Sequence, residues 1–369
     1  MEKIRVLVID DSALIRKLLT EIFNSSPDIE VVGVAEDPYV ARDLIKLLNP
    51  DVLTLDVEMP RMDGITFLRN LMRLRPMPVV MVSTLTEKSA DVTLNALALG
   101  AVDFIAKPKV NIAKTLTDYA EELINKVKMA AKARVQEISD HATPVRKPGL
   151  TAESDIKVKH SADIILKAES IRRYPQGGQK IIAIGASTGG TEAIKTVVKD
   201  LPADMPAVLI TQHLPVAFSA SFARHVDLVS KMSACIAQHG QPVEAGHIYI
   251  APGDRHMLLA REGSKYIIQL HDGPPVNRHK PAVDVLFRSV AQCVGANAIG
   301  IMLTGMGTDG AKGMKEMHEA GAKTIIQDEQ TSVVWGMPGE AFKLGCTDHV
   351  KPITEIAQQV ITLTQVRVS

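Results

Sequence analysis

Two blocks of alternating strand-like and helix-like sequence, divided by a polar segment, constrain this chain more than any other feature. In the first block, short apolar runs at Ile4–Ile9, Val31–Val34, Val52–Leu55, Val79–Val82 and Phe104–Ala106 read as buried strands. Amphipathic stretches at Ala13–Phe23, Tyr39–Leu48 and Gly64–Leu74 lie between them, and Leu116–Ala133 has helical spacing. Apolar strands alternating with helices predict a parallel sheet covered on both faces. From Val135 to Gln179 the chain is polar and carries Pro144, Pro148, Gly149, Pro175, Gly177 and Gly178, with one weak helical patch at Ser161–Ile171. This composition suits a linker.

A second series begins at Lys180. Ile181–Ile184, Ala207–Ile210 and Ile299–Leu303 are strand candidates, and Thr191–Lys199 and Ala282–Val294 have helical spacing. His247–Ala251 and Tyr266–Leu270 read as strands flanking the turn-rich Pro252–His256, forming an antiparallel excursion from the main sheet. The expected division is a domain at 1–133, a linker at 134–179 and a second domain at 180–369. With 46% hydrophobic and only 4% aromatic residues, the two cores must be mostly aliphatic.

Lys plus Arg and Asp plus Glu both number 42, so no net field draws the chain to nucleic acid or to an anionic membrane. Cys235, Cys293 and Cys346 fit neither a zinc pattern nor a disulfide framework. No signal peptide and no apolar run of about 20 residues is evident, so the expectation is a cytoplasmic protein without membrane insertion.

Chemistry-bearing residues fall where strands end. Asp10 and Asp11 follow the first apolar run, Asp56 the third, Ser83 the fourth and Lys107 the fifth. In an open parallel sheet these ends share one edge, where ligands bind. Carboxylates from two strands make a hard oxygen site for Mg2+, and a lysine and a hydroxyl beside them can contact a phosphoryl group. Asp56 is the favoured phosphoryl acceptor. The bland alternative for Asp11-Ser12 is a helix N-cap.

In the second block, Gly185-Ala186-Ser187-Thr188-Gly189 lies between a strand and a helix and fits G-x-S-x-G. Such a turn exposes the serine hydroxyl near free amides at a helix start. A dinucleotide-binding loop would instead require an acid at the end of the next strand, and that strand ends Thr211-Gln212-His213. An α/β-hydrolase would have the order Ser, Asp, His. The acid here comes last, in the glycine-rich loop Thr304-Gly305-Met306-Gly307-Thr308-Asp309-Gly310. Ser187 as nucleophile, His213 as base and Asp309 as its orienting partner follow, with backbone amides near Thr188 and Met306 as oxyanion donors. On spacing alone, His256, His271 and His279 compete with His213, and Asp254, Asp272 and Asp284 with Asp309. Trp335 stands near this loop or in the core.

Val8-Ile9-Asp10-Asp11-Ser12, Leu55-Asp56-Val57-Glu58-Met59-Pro60, Val82-Ser83-Thr84 and Ala106-Lys107-Pro108 resemble a response-regulator receiver domain of flavodoxin-like fold. The resemblance implies phosphorylation on Asp56. It implies Mg2+ held by Asp11, Asp56 and the Glu58 carbonyl with support from Asp10, phosphoryl contacts from Ser83 and Lys107, and a cis bond at Lys107-Pro108. Phe104 falls at the family's rotating aromatic position, with ordinary core packing as the alternative.

Residues from about Lys180 to Thr364 resemble the catalytic domain of the chemotaxis protein-glutamate methylesterase family, a doubly wound α/β domain. The motifs are Gly185 to Gly190, Gln212-His213-Leu214-Pro215, Ala251-Pro252-Gly253, Pro281-Ala282-Val283-Asp284 and Leu303 to Gly310. This resemblance implies hydrolysis of glutamate γ-methyl esters and deamidation of glutamines on chemoreceptors, with no cofactor for the ester reaction and a chemotaxis histidine kinase as phosphodonor. The joined halves suggest that the resting receiver packs over the Ser187 cleft.

Overall fold

In the computed structural model, residues 3–84, 86–107, 113–133, 160–168 and 178–364 are described. Pro108, and with it the expected cis bond, lies outside them, as does the linker apart from 160–168 and 178–179.

The first domain runs β1 (Ile4–Ile9), α1 (Ala13–Asn24), β2 (Ile29–Ala35), α2 (Pro38–Leu48), β3 (Val52–Asp56), α3 (Gly64–Leu74), β4 (Val79–Ser83), α4 (Glu87–Ala98), β5 (Asp103–Ala106) and α5 (Ala113–Ala130). Its five strands are parallel in the order β2-β1-β3-β4-β5. Local chemistry sets the helix starts. Ser12, Asp37 and Asp63 cap α1, α2 and α3 by accepting from backbone N–H groups of the first turn. Every residue of β3 and β4 is buried, as a sheet covered on both faces requires.

The second domain contains β6 (Ile181–Ala186), α6 (Gly190–Lys199), β7 (Ala207–Gln212), α7 (Val216–Val229), β8 (Ser233–Ile236), β9 (His247–Ile250), β10 (His256–Glu262), β11 (Lys265–His271), α8 (Val283–Val294), β12 (Ala298–Met302), α9 (Ala311–Glu319), β13 (Lys323–Gln327), α10 (Met337–Lys343), β14 (His349–Lys351) and α11 (Ile353–Thr364). Seven parallel strands lie in the order β14-β13-β12-β6-β7-β9-β8. Strand β6, which leads to Ser187, therefore sits centrally, between the strands that lead to Asp309 and His213.

The antiparallel hairpin exists, but its strands differ from the expectation. His247–Ile250 belongs to the main sheet, parallel to β7, and the partner of β11 is β10. Glu262 pairs with Lys265 across the two-residue connection Gly263-Ser264, and Gly263 has φ +61°, a conformation only glycine adopts cheaply. His256 consequently starts a strand and is fully buried rather than lying in a polar turn.

The 160–168 segment, expected as linker, docks on the second domain. Only Ala162–Ile164 forms a short 3-10 turn where a longer helical patch was expected. Ala162, Ile165 and Leu166 pack on Leu258, Val276, Ala282 and Val285. Buried Arg288 clamps the segment: Nη1 donates to Asp163 Oδ1 (2.8 Å) and to the Leu166 carbonyl (2.9 Å). Its Nε and Nη2 grip the Glu316 carboxylate at 2.9 and 2.6 Å. Such a fork gives direction as well as charge.

Removing one partner of a buried ionic fork costs about 3–5 kcal/mol, less where the acids reach solvent. Arg288→Ala is therefore expected to lower the melting temperature and to speed proteolysis within 160–168. Unchanged cleavage would mean that the apolar contacts alone hold this segment.

Candidate functional site

The first domain gathers its charged residues at the carboxyl edge of the sheet. Asp10 follows β1, Asp56 ends β3, Ser83 ends β4 and Lys107 follows β5. Lys107 Nζ lies 2.7 Å from Asp56 Oδ2 and 3.0 Å from Asp10 Oδ2. Asp10 also accepts from the Ser12 N–H at 2.9 Å. Ser83 Oγ accepts from Thr93 Oγ1 at 3.1 Å. Burial pushes the Asp56 carboxyl up to about 6; the Lys107 hydrogen bond opposes this and the Asp10 charge adds to it. Carboxylate oxygens of Asp10, Asp11 and Asp56 lie within 4.8 Å of one another. That all-oxygen, acidic donor set suits a hard divalent ion such as Mg2+. The Glu58 side chain is exposed and outside the cluster.

In the second domain three loops meet above β7, β6 and β12. The β6–β7 register pairs Ala186 with Gln212, so Ser187 and His213 leave neighbouring strands at one level. The His213 N–H donates to the Ala186 carbonyl (3.3 Å) and the Ser187 N–H to the Thr304 carbonyl (3.1 Å). Gln212 Nε2 donates to the Ser187 carbonyl at 2.9 Å. The glycines are here because there is no room for more. A Cβ on Gly190 would come within 2.1 Å of Gln212 Oε1, and one on Gly305 within 2.9 Å of Ser187 Cβ.

His213 Nε2 lies 2.8 Å from Asp309 Oδ2. His213 Nδ1 is buried and has no hydrogen-bond partner among the described residues. Asp309 is 1% exposed and also accepts from the Val283 N–H (2.6 Å), the Asp284 N–H (3.2 Å) and Asn277 Nδ2 (2.8 Å). Burial pushes its carboxyl up, but the His213 hydrogen bond, the two imidazoles and Asn277 outweigh burial and hold it down at about 2. His279 stacks on His213 with ring centroids 3.7 Å apart. Desolvation and that neighbour push His279 down to about 3.

Of the competing residues, His256 is spent on the Pro274 carbonyl (3.0 Å) and the Ala282 N–H (3.2 Å). Asp272 is exposed and pairs with Lys280, while Asp284 is buried behind Asp309. Thr188 and Met306 line the same cleft as Ser187 and His213, a cavity of about 810 Å³. Trp335 leans on Phe342 and donates from Nε1 to the Gln327 carbonyl, so it belongs to the packing beneath the loops.

The cleft also has a wall from the first domain. Asp103 and Phe104 of β5 and Lys126 of α5 line it. Phe104 stacks on Phe218 of α7 at 4.5 Å, and Thr188 Oγ1 donates to Asp103 Oδ2. Lys126 Nζ lies 2.8 Å from Asp103 Oδ1 and above the Phe104 ring. Asp91 of α4 meets Arg224 of α7 at 3.1 Å. Asp103, Phe218 and Asn277 escaped the sequence reading. Each lies in or beside an element without a recognisable motif, and only a contact between distant segments gives it meaning.

Asp56 carries a pH consequence. The folded carboxyl keeps its proton up to about pH 6, whereas an unfolded aspartate loses it near about 3.9. Between those values the folded state binds more protons, so stability falls as pH rises through the window. Above it, ionised Asp56 costs on the order of 2–3 kcal/mol without a metal. Asp56→Asn is expected to raise the melting midpoint at about pH 8 in chelator, with the gain fading below about pH 4. A gain of equal size at both pH values would reject burial of the Asp56 charge as its source.

The family model "CheB methylesterase" matches residues 182–360, and "Response regulator receiver domain" matches residues 6–117. A protein-glutamate methylesterase/protein-glutamine glutaminase of Hydrogenovibrio crunogenus is 54% identical over 98% of this chain and 99% of that protein. One from Geobacter metallireducens is 55% identical over 97% of this chain and 95% of that protein. Among solved structures, the Thermotoga maritima CheB methylesterase catalytic domain aligns with a TM-score of 0.50 at 36% identity, covering 51% of this chain and 99% of that one. The chain belongs to the CheB family of protein-glutamate methylesterase/protein-glutamine glutaminases, with a response-regulator receiver domain ahead of its methylesterase domain.

Proposed function

We propose that this chain hydrolyses glutamate γ-methyl esters and deamidates glutamines on chemoreceptors, by acyl transfer through Ser187. The observation that carries the reading is the His213–Asp309 bond, which leaves Nδ1 unpaired in the cleft that Ser187 lines. With its Nε2 proton donated to Asp309, His213 has its basic lone pair on Nδ1. Ser187 Oγ attacks the γ-carbonyl carbon while His213 Nδ1 takes its proton. The tetrahedral oxyanion is stabilised by backbone amides near Thr188 and Met306. His213 then protonates the leaving methoxide or amide nitrogen, and methanol or ammonia departs from an acyl-enzyme. Water, deprotonated by the same nitrogen, releases glutamate. Ionised Asp309 fixes the tautomer and stabilises the imidazolium. No cofactor takes part in these steps.

The receiver supplies control. Asp56 accepts a phosphoryl group from a chemotaxis histidine kinase, with Ser83 and Lys107 contacting it. Asp11, Asp56 and the Glu58 carbonyl would hold Mg2+, supported by Asp10; when bound, the ion offsets the charge on phosphoryl oxygens. In the resting state β5 covers the cleft through the Phe104–Phe218 and Asp103–Thr188 contacts, and α4 packs on α7 through Asp91 and Arg224. Phosphorylation weakens that packing. The Phe104–Phe218 stack supports a docked resting state, and the exposed Asp91–Arg224 pair beside it is one that a change of charge can loosen.

Methanol release from methylated receptor is the test. Ser187→Ala should reduce it by about four to six orders of magnitude; a change under tenfold would reject Ser187 as nucleophile. A fragment from residue 158 onward keeps the docked 160–168 segment and should outpace the resting full chain. Equal or slower turnover by the fragment would refute coverage by the receiver. Asp56→Asn should retain basal turnover and ignore a phosphodonor.

A further inference from the structure

A second buried carboxylate stands behind the reaction and takes no part in it. Asp284, in the first turn of α8, is 3% exposed. Its Oδ1 accepts from the Gly313 N–H at 2.7 Å and its Oδ2 from Asn277 Nδ2 at 2.7 Å. The same Asn277 nitrogen donates to Asp309 Oδ1 at 2.8 Å. One amide group, with two hydrogens, thus bridges two buried carboxyls. No other side chain among the described residues is hydrogen-bonded to both.

We propose that Asn277 is a positioning residue for the esterase, its amide tying Asp309 to Asp284 and so fixing the oxygen that Asp309 turns toward His213. The inference rests on Asp309 being the partner of His213 in catalysis. Asp309 has two oxygens and several claimants. His213 and the Val283 N–H take Oδ2, while Asn277 and the Asp284 N–H take Oδ1. Removing the Asn277 donor frees Oδ1 on one side and lets the carboxylate rotate away from the imidazole.

The charges around the pair make the amide necessary. His213 and His279 face Asp309, with His256 nearby. Lys126 and Arg278 lie behind His279. Asp284 faces Asp309 and, farther off, Glu316, both acidic. Burial and the Asp309 charge accordingly push Asp284 up to about 7, while Asp309 stays near 2. Two like carboxyls at one site divide their protons unequally, and a neutral two-hydrogen donor suits that division where a third acid would not.

Asn277 is itself held from outside. Its φ is +51°, the left-handed region that asparagine tolerates better than most residues. Its N–H donates to the His160 carbonyl at 3.0 Å, in the docked segment before the second domain. Arg278 beside it reaches Glu121 of α5 in the receiver at 3.9 Å.

The experiment follows kcat and KM for methanol release across pH in the full chain. Asn277→Gly keeps the left-handed backbone and removes only the amide. Asn277→Ser leaves a single donor. Asn277→Gly should lower kcat by about 10- to 100-fold, the effect expected of losing one charge-assisted donor, with KM changed less than about threefold. Its acid limb should move to lower pH, because a carboxylate that has turned away from the imidazole stabilises the protonated base less. Asn277→Ser should fall between. Acid unfolding of a destabilised variant would move the limb the other way, to higher pH, so misfolding does not mimic the expected shift. An unmoved limb with a uniform loss of kcat, or a loss confined to KM, overturns the proposal. Asp309→Asn separates the two readings: if it too keeps its activity, the assignment of Asp309 fails first.

Discussion

The His213–Asp309 hydrogen bond is the interaction on which the proposed esterase mechanism depends, and it is made possible by burial. A carboxylate at 1% exposure has no water to solvate it, so every lone pair must find a donor. Here the donors come from the imidazole, two amides at the start of α8 and the Asn277 side chain. Helix starts have unpaired N–H groups and favour negative charge, so α8 contributes through its position as much as its residues. The result is one ionised acid beside the base and one acid, Asp284, that tends to keep its proton.

The two domains use one architectural device for different chemistry. Parallel strands bring loops distant in sequence to a shared edge. In the receiver that edge carries three acids, a lysine and a hydroxyl. In the esterase domain it carries an alcohol, an imidazole and a carboxylate. The domains meet through the receiver's last strand and fourth helix against α7 and the Ser187 loop. A change at the Asp56 edge therefore has a short path to the cleft, since β5 holds Phe104 and Asp103 only a few residues before Lys107.

Most strands and the proposed serine, histidine and aspartate residues were legible in the sequence, because periodicity and strand-end chemistry are local. The hairpin was misread for a local reason as well. The turn Gly263-Ser264 is short, and the more conspicuous Pro252–His256 drew the boundary away from it. The 160–168 segment was read as linker because it is polar and short. Its attachment comes from Arg288, more than a hundred residues later. Helices α4 and α7 went unread because their apolar residues follow no clean helical stripe, yet together with β5 they form the contact between domains.

By itself the sequence determined two parallel α/β units, the order of the Ser, His and Asp loops, and the acidic edge of the receiver, since each follows from spacing and residue type within a few positions. It left open which of several histidines and aspartates act together, because proximity across a sheet is a property of strand order and register. Only tertiary structure decided that His213 meets Asp309, that His256 is occupied elsewhere, and that Asn277 joins two acids. Those outcomes depend on which buried polar groups come within about 3 Å of one another, a distance that no one-dimensional pattern encodes.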